Sequence, residues 1–436
     1  MFSCGGIGDL ALKGAGVDVI LANELERDRA EVFAYNFPEV KMIVGDIWKE
    51  KNTIIRETKS LLYDQDLDIV FATPPCQGMS KNGRGKLLNL VRKGERPKID
   101  QRNELVRPSI DIFIALNAET LIMENVPEMQ STLINSSLSD NTLVSIPEYI
   151  IERLGDEFSS SILVVEFADY GVPQRRQRLI SVFTKNENMK DFIYRNGTIF
   201  PPTTHAKKPT GTLKPWVTVR EAISHLPPLD AKTKASSIHP KIPFHKVPLL
   251  DEDKYLWVSN TPPNKSAFDN QCINPKCGFS NNRTHGSKKN KDGINKVNTC
   301  TPLYCERCNS LLPRPWVKNG ENYRLMKGYT SAYKRMGYDL PSSALTRNLS
   351  YACSDNKLHP SQNRVLSIHE ATILHTLDRY NFQWKRADGE KVSDKLVREL
   401  IGESIPPMGL QKLFEFFVSV SKGEVISLTD NSTMQI

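Results

Sequence analysis

Short apolar runs alternate with amphipathic stretches through the first 185 residues. Residues 17–22 and 68–72 are compact apolar runs with β-branched members, and each predicts a short buried strand. Residues 120–123, 161–165 and 179–183 repeat that pattern, while 27–36, 108–116 and 147–154 carry apolar residues at helical spacing. Short buried strands separated by helices predict an α/β fold: a mostly parallel, doubly wound sheet covered on both faces. In such sheets ligands collect at the C-terminal ends of the strands.

The pattern changes near Phe200. From 201 to 364 the chain is rich in Pro, Lys, Asn and Ser, with few periodic segments, and predicts a second, irregular domain. Helical periodicity returns over 365–377 and 406–420, so the first domain, residues 1–200, is expected to be completed by about 365–436. Hydrophobic content of 39% and charged content of 25% are those of an ordinary globular protein. No apolar stretch approaches the ~18 residues of a membrane span. The first residues run straight into a glycine-rich segment without the features of a signal peptide, so a cytoplasmic protein with no membrane partner is expected. A net charge of +8 suits an anionic partner, although many basic proteins never meet nucleic acid.

Five of the eight cysteines fall between residues 272 and 308, a clustering that favours metal over a disulfide framework in a reducing compartment. Cys272-x4-Cys277 and Cys305-x2-Cys308 have the look of two knuckles of a zinc ribbon spanning 272–308, a structural Zn2+ site in place of a core that this polar segment lacks. Cys300 is a surplus candidate able to replace Cys277, and reduced cysteines without metal are the alternative.

The segment most telling about chemistry is Thr73-Pro74-Pro75-Cys76-Gln77-Gly78-Met79-Ser80, directly after a strand. Two prolines stiffen the backbone, and the cysteine falls where a strand-end pocket opens. Alone, such a cysteine is as well read as a small buried residue in a turn. A second strand ends in Glu124-Asn125-Val126-Pro127, placing a carboxylate where it can share that pocket. Then follows Gln174-Arg175-Arg176-Gln177-Arg178, where Arg176 and Arg178 would point the same way from an extended backbone, or lie on a basic surface strand.

In this order the segments resemble the conserved blocks of the DNA (cytosine-5) methyltransferase family, well over 1–185 and moderately over 360–412. Phe2 to Gly8 looks like the cofactor loop, Asn23-Glu24 like the acidic step after the second strand, and Gly45-Asp46-Ile47 like the third block. Asp100 to Leu105 looks like the helix start after the catalytic loop; Gln362 to Ala371 and Gly402 to Pro407 resemble the last two blocks. The resemblance implies a Rossmann-like fold dependent on S-adenosylmethionine, carrying a target-recognition domain, and methyl transfer to C5 of cytosine in a specific duplex DNA sequence.

That resemblance gives Cys76 the role of nucleophile at cytosine C6, with Glu124 protonated against N3 and Arg176 and Arg178 supplying a cationic field that lowers the thiol pKa from about 8.5. Asn125 is expected to hold the loop. Phe2, Gly5, Gly6, Gly8, Glu24, Leu25, Asp46, Ile47, Pro74, Glu403 and Ser404 are expected around the cofactor, the glycines allowing close backbone approach. Gln77, Ser80, Arg175, Arg335 and Thr346 are expected at DNA around an extruded base. The family setting is bacterial restriction–modification, with a cognate restriction endonuclease as functional partner and a monomeric enzyme.

Four departures stand out. The family places a buried strand immediately before the Phe2 loop, where this sequence begins at Met1, so either the start is misassigned or the first strand is absent and the cofactor site weakened. Cys4 stands where many relatives have Gly, Glu403 where they have Asn, and His369 where an Arg is common. Two rivals stay open: a family member acting on tRNA, against which the long 201–364 insert argues, and a catalytically inactive DNA-binding homologue.

Overall fold

The apolar runs fold as a broken sheet between helices. The computed structural model describes residues 1–75, 100–137, 142–289, 295–297, 300–327, 330–425 and 428. In the first domain, α1 (Asp9–Gly14) leads to β1 (Leu21–Glu24), α2 (Arg27–Asn36), β2 (Lys41–Val44), α3 (Ile47–Leu62) and β3 (Ile69–Ala72). After the undescribed stretch come α4 (Val106–Leu116), β4 (Thr120–Asn125), α5 (Ile146–Leu154), β5 (Ser159–Glu166), β6 (Gln177–Thr184) and α6 (Glu187–Asn196). The helix starts follow local chemistry. Asp46 accepts the Trp48 N–H at the start of α3, and Ser145 and Glu148 form a reciprocal cap on α5.

β1 pairs with β2 in parallel, and β3 with β4 in parallel. β6 runs antiparallel to both β4 and β5, giving the order β3-β4-β6-β5. The expectation of a mostly parallel sheet therefore holds for one half and is corrected for the other. The turn after Glu166 is short, a single 3-10 turn at Phe167–Tyr170, and an antiparallel return needs no more. Apolar runs record that a strand is buried, not which way it runs.

Among the described residues, no strand pairs the β1–β2 sheet with the sheet that begins at β3. The two halves are joined at their C-terminal ends by Met1 to Ser3: the Met1 amine donates to the Phe71 carbonyl (2.8 Å), and the Ser3 N–H to the Asn23 carbonyl (3.0 Å). Behind this bridge lies a cleft of about 90 Å³ walled by Leu12, Val17, Val19, Leu21, Ile54, Ile69 and Leu116, among others. Burial pushes the Asp9 carboxyl at its edge up to about 6.

Residues 201–364 contribute short helices α7 (Val219–Ile223) and α8 (Glu252–Ser259) and several two- to four-residue strands. This region does not lack a core. Leu229, Val247, Phe268, Leu303 and Leu358 pack around Trp257, whose ring meets Trp316 and Tyr333 edge-on at 5.2 and 5.6 Å. These aromatics are irregularly spaced, so no period betrays them. The chain ends in α9 (Ile368–Leu374), α10 (Asp394–Glu403) and α11 (Pro407–Ser421). α11 packs back on the first domain: Phe414 lies against Phe71, Phe416 against Phe192 and Phe417 against Phe200.

Candidate active site

The C-terminal ends of β1, β3 and β4 open on one cleft of about 450 Å³, within the range of small-ligand sites. Its three corners differ in chemistry. At the first, Phe2, Glu24, Leu25, Asp46 and Ile47 line the wall. Both oxygens of Glu24 already accept backbone N–H groups, from Cys4 (2.7 Å) and Glu26 (2.9 Å), so this carboxylate also fixes the loop that carries Phe2 and Cys4.

At the second corner, Glu124, the next-to-last residue of β4, lines the cleft with Pro74, Pro75 and Arg178. Arg178 Nε donates to Glu124 Oε1 at 2.7 Å, and both side chains are largely buried. Burial pushes the Glu124 carboxyl above its usual range, against the opposing pull of Arg178 and Arg176. Asn125 is buried with its amide donating to the Pro74 carbonyl (2.9 Å), while its own oxygen accepts the Val126 N–H (2.8 Å). The end of β4 thus clamps the two prolines that lead to Cys76. Cys76 itself, with Gln77 and Ser80, lies outside the described residues.

At the third corner, Gly8, Gly402, Glu403 and Ser404 meet Cys4 and Arg29. Ser404 shares a hydrogen bond with His375 (2.9 Å), and Glu403 pairs with Arg29 (2.8 Å). Two glycines of the loop turn out to serve packing. A Cβ at Gly5 would lie 2.9 Å from Leu400, and one at Gly6 would lie 2.6 Å from Phe37, so their missing side chains make room for core residues. Neither lines the cleft, whereas Gly8 does.

The family model for C-5 cytosine-specific DNA methylases matches residues 1–418, nearly the whole chain and all three corners. The chain belongs to that family. It is a DNA (cytosine-5) methyltransferase, and the family implies S-adenosylmethionine as methyl donor. Among curated relatives it is 26% identical to the type II methyltransferase M1.HgaI of Avibacterium volantium over 422 residues, covering 95% of each chain. It is 27% identical to a type II methyltransferase of Oceanobacillus iheyensis, M.OihORF3336P, over 93% of this chain and 91% of that one. Among solved structures, a prophage-encoded DNA modification methyltransferase from E. coli aligns with a TM-score of 0.50 at 18% identity, over 96% of this chain and 97% of that one. DNMT2 of Spodoptera frugiperda aligns with the same TM-score at 14% identity, over 96% and 98%. These structural likenesses concern the fold.

Other residues of the methyltransferase sit differently from expectation. Arg176 is buried, its guanidinium donating to the carbonyls of Leu345 (2.8 Å) and Gly402 (3.1 Å) and so tying those two segments together. It borders the cleft but is committed to holding it together. Arg335, expected at DNA, is 3% exposed and donates to the carbonyls of Val258, Thr261, His359 and Gln362 and to Asn363 Oδ1. A cation enclosed by loop carbonyls cannot reach a phosphate, so that expectation is corrected. Arg175 is exposed, pairs with Glu166 at 3.5 Å and stacks over Trp216. Thr346 is half-buried, with its main chain against Gly402.

Arg29 and Arg102 line the cleft and were not anticipated. Arg29 carried a signal in the sequence. It sits in the first turn of α2, where a cation opposes the helix dipole and calls for an acidic partner.

Within residues 201–364, the ligand atoms of Cys272, Cys277, Cys305 and Cys308 all lie within 4.8 Å of one another. Cys272 and Cys308 sulfurs are 3.7 Å apart and those of Cys277 and Cys305 3.9 Å. Thiolates bonded to tetrahedral zinc at ~2.3 Å stand about 3.8 Å apart, so the donor set fits the metal. Cys277, not Cys300, completes the set. Among the described residues no helix is long and apolar enough to cross a membrane.

Proposed function

We propose that this methyltransferase modifies one specific duplex DNA sequence through a covalent adduct between Cys76 and cytosine C6. The observation that carries the reading is the clamp at the end of β4, where Asn125 fixes Pro74 while Glu124 and Arg178 pair in the same cleft. Cys76 follows directly in sequence after the anchored prolines, and the buried carboxyl of Glu124 lines the same cleft as Pro74 and Pro75.

The cofactor supplies an electrophilic methyl group; the chain's own residues make cytosine able to accept it. The Cys76 thiolate adds to C6, and the electron pair displaced toward N3 is met by a proton from Glu124, whose burial favours the protonated form. C5 is then enamine-like and takes the methyl group. Loss of the C5 proton to a base, expulsion of the Cys76 thiolate and return of the N3 proton to Glu124 restore the aromatic ring. Arg178 orients Glu124 and adds positive charge, while Arg176 positions the wall between the two domains. Glu24 and Asp46 are suited to the ribose hydroxyls and the adenine amino group, and Phe2 to stacking on the adenine.

The catalytic domain in this reading is residues 1–200 completed by 365–436, and 201–364 reads the DNA. The contacts to an extruded nucleotide are assigned to Gln77, Ser80, Arg175 and Thr346. The recognition domain holds one structural zinc on Cys272, Cys277, Cys305 and Cys308, tying residues 272–277 to 305–308 beneath the Trp257 core. The names of the type II relatives support a restriction–modification setting, with a cognate endonuclease cutting the unmethylated site.

The test is trapping on duplex DNA containing 5-fluorocytosine with labelled S-adenosylmethionine, for wild type and Cys76→Ser. A labelled covalent adduct with wild type alone is expected. Its absence from folded wild-type protein overturns the mechanism.

A further inference from the structure

Between Asp191 and Glu221 the sequence carries no carboxylate side chain. Within that stretch His205–Ala206 pairs in parallel with Lys214–Pro215, which sets His205 opposite Lys214. A Cβ at Gly171 would lie 2.8 Å from the His205 ring, and one at Gly409 would lie 2.5 Å from Phe167 and 2.9 Å from Val172. His205 and the first turn of α11 therefore pack on the same short segment, and Lys412 follows one turn further along α11. Tyr380 Oη donates to Gln411 Oε1 at 2.6 Å, which brings the neighbouring Arg379 to this end of the helix.

The charges gathered here do not balance. The surrounding carboxylates are engaged elsewhere: Asp169 accepts from Trp216 Nε1 (2.7 Å), Glu221 from the Thr218 N–H (2.7 Å) and Glu415 from the Gln411 amide (2.7 Å). Among the described residues, Lys214, Arg379 and Lys412 make no ion pair. The first two are exposed and Lys412 is half-buried. Burial lowers the Lys412 ammonium from its ordinary range, and Arg379 and Lys214 lower it further against the pull of Glu415. His205 is lowered as well, by burial first and then by Lys412 and Lys214, against Asp169 and Glu221. Cations brought together from three segments in this way are stabilised by an anion. None of them lines the cleft, but the surface continues to Arg175: Trp216 follows Lys214 by two residues, and the Arg175 guanidinium lies 5.4 Å over its ring.

We propose that Lys214, Arg379 and Lys412, together with His205, form a site for backbone phosphates of the duplex, outside the reactive cleft and continuous with Arg175. This rests on the DNA reading above. Such contacts hold the duplex in position and carry no sequence information.

The test is fluorescence anisotropy of the full-length protein on a mixed-sequence duplex across a range of salt concentrations. Lys214→Ala with Arg379→Ala removes two exposed charges, so melting temperature and S-adenosylmethionine affinity are expected to stay at the parental values. Each phosphate contact contributes about 0.9 to the slope of log affinity against log salt, so this variant should flatten the slope by roughly 2 and weaken binding about tenfold at low salt. Adding Lys412→Ala should flatten it further, whereas Lys214→Arg with Arg379→Lys keeps the charges and should keep the slope. Lys49→Ala with Lys59→Ala, an equal loss of charge from exposed positions on α3, should leave it unchanged. An unchanged slope in the first variant, the outcome for a site that takes free phosphate only, overturns the proposal. So does an equal fall in the α3 control, which would reduce the effect to net charge. Wild type that binds no duplex would instead remove the DNA reading itself, which separates the two failures.

Discussion

Gly402 sits one residue before the end of α10, where helix propensity alone favours alanine by up to ~1 kcal/mol. The structure reverses that sign. A Cβ built on Gly402 would lie 2.1 Å from the Arg347 nitrogen, 2.4 Å from the Thr346 carbonyl carbon and 2.8 Å from the Arg347 Cα. All three are main-chain atoms, so no rotamer change relieves the contact, and the 346–347 segment must retreat by roughly 1 Å. Overpacking of this kind costs about 1–3 kcal/mol, more than the helix gains.

The displacement also has a functional direction. Arg176 spans this same junction, donating to the Gly402 carbonyl on one side and to the Leu345 carbonyl on the other. Pushing the two apart stretches a buried charge-assisted pair of hydrogen bonds and moves Glu403, the next residue, at the edge of the cleft. Gly402→Ala is therefore expected to lose about 2 kcal/mol in urea unfolding and to bind S-adenosylmethionine several-fold more weakly. A variant as stable as the parent, or more so, is what helix propensity alone would give and would refute this account of the junction.

Three further outcomes are expected. Purified protein should release one equivalent of zinc to a colorimetric chelator, and Cys305→Ser should release none and melt early; apparent zinc affinities of ~10–16 kcal/mol at such sites make a small effect incompatible with a metal-held knuckle. Glu124 has a raised folded pKa, so the stability it contributes is present below the usual carboxyl range near 4.5 and is lost as pH rises through the folded value. Glu124→Gln should thus gain on wild type in urea midpoint from pH 4.5 to 8 while methyl transfer falls on the order of 10²-fold or more; a difference flat with pH would argue against the burial effect. Arg335→Ala should cost about 3 kcal/mol or more through stranded carbonyls, whereas Arg175→Ala should leave the melt unchanged and weaken DNA binding; the reverse ranking would return Arg335 to the DNA face.

Much of the catalytic half was legible because its constraints are local. A strand end followed directly by two prolines, and a carboxylate at a later strand end, are each short patterns that can be read alone, and Asn125 reaching Pro74 across 51 positions brings the two together. The 16-residue α3 and the strand β2 were not anticipated: polar residues separate the apolar positions of α3, and the apolar run of β2, Met42-Ile43-Val44, is only three residues long. Strand direction was invisible for the same reason that burial was visible: an apolar run reports its environment, not its partner's orientation. The Gly5 and Gly6 positions show a further limit. A glycine-rich loop looks alike whether the missing side chains admit a ligand or admit Leu400 and Phe37.

The arginines carry the more general argument. A region without long strands or helices leaves many main-chain carbonyls with no ladder partner, and buried ones must still be satisfied. The guanidinium group, with five donors on a rigid fork, is suited to that task. Arg314 donates to the carbonyls of Asn270 and Pro302, Arg364 to those of Leu229 and Val365 and to Glu370, and Arg335 to four carbonyls at once. Arg176 does the same for the carbonyls of Leu345 and Gly402. Part of the basic composition that points to nucleic acid is therefore consumed inside the fold, as the scaffold of an irregular domain. A sequence counts these arginines alongside Arg175, which stays at the surface. Where regular secondary structure is sparse, a buried cage of carbonyls competes with the phosphate backbone as the reason for an arginine, and net charge alone cannot separate them.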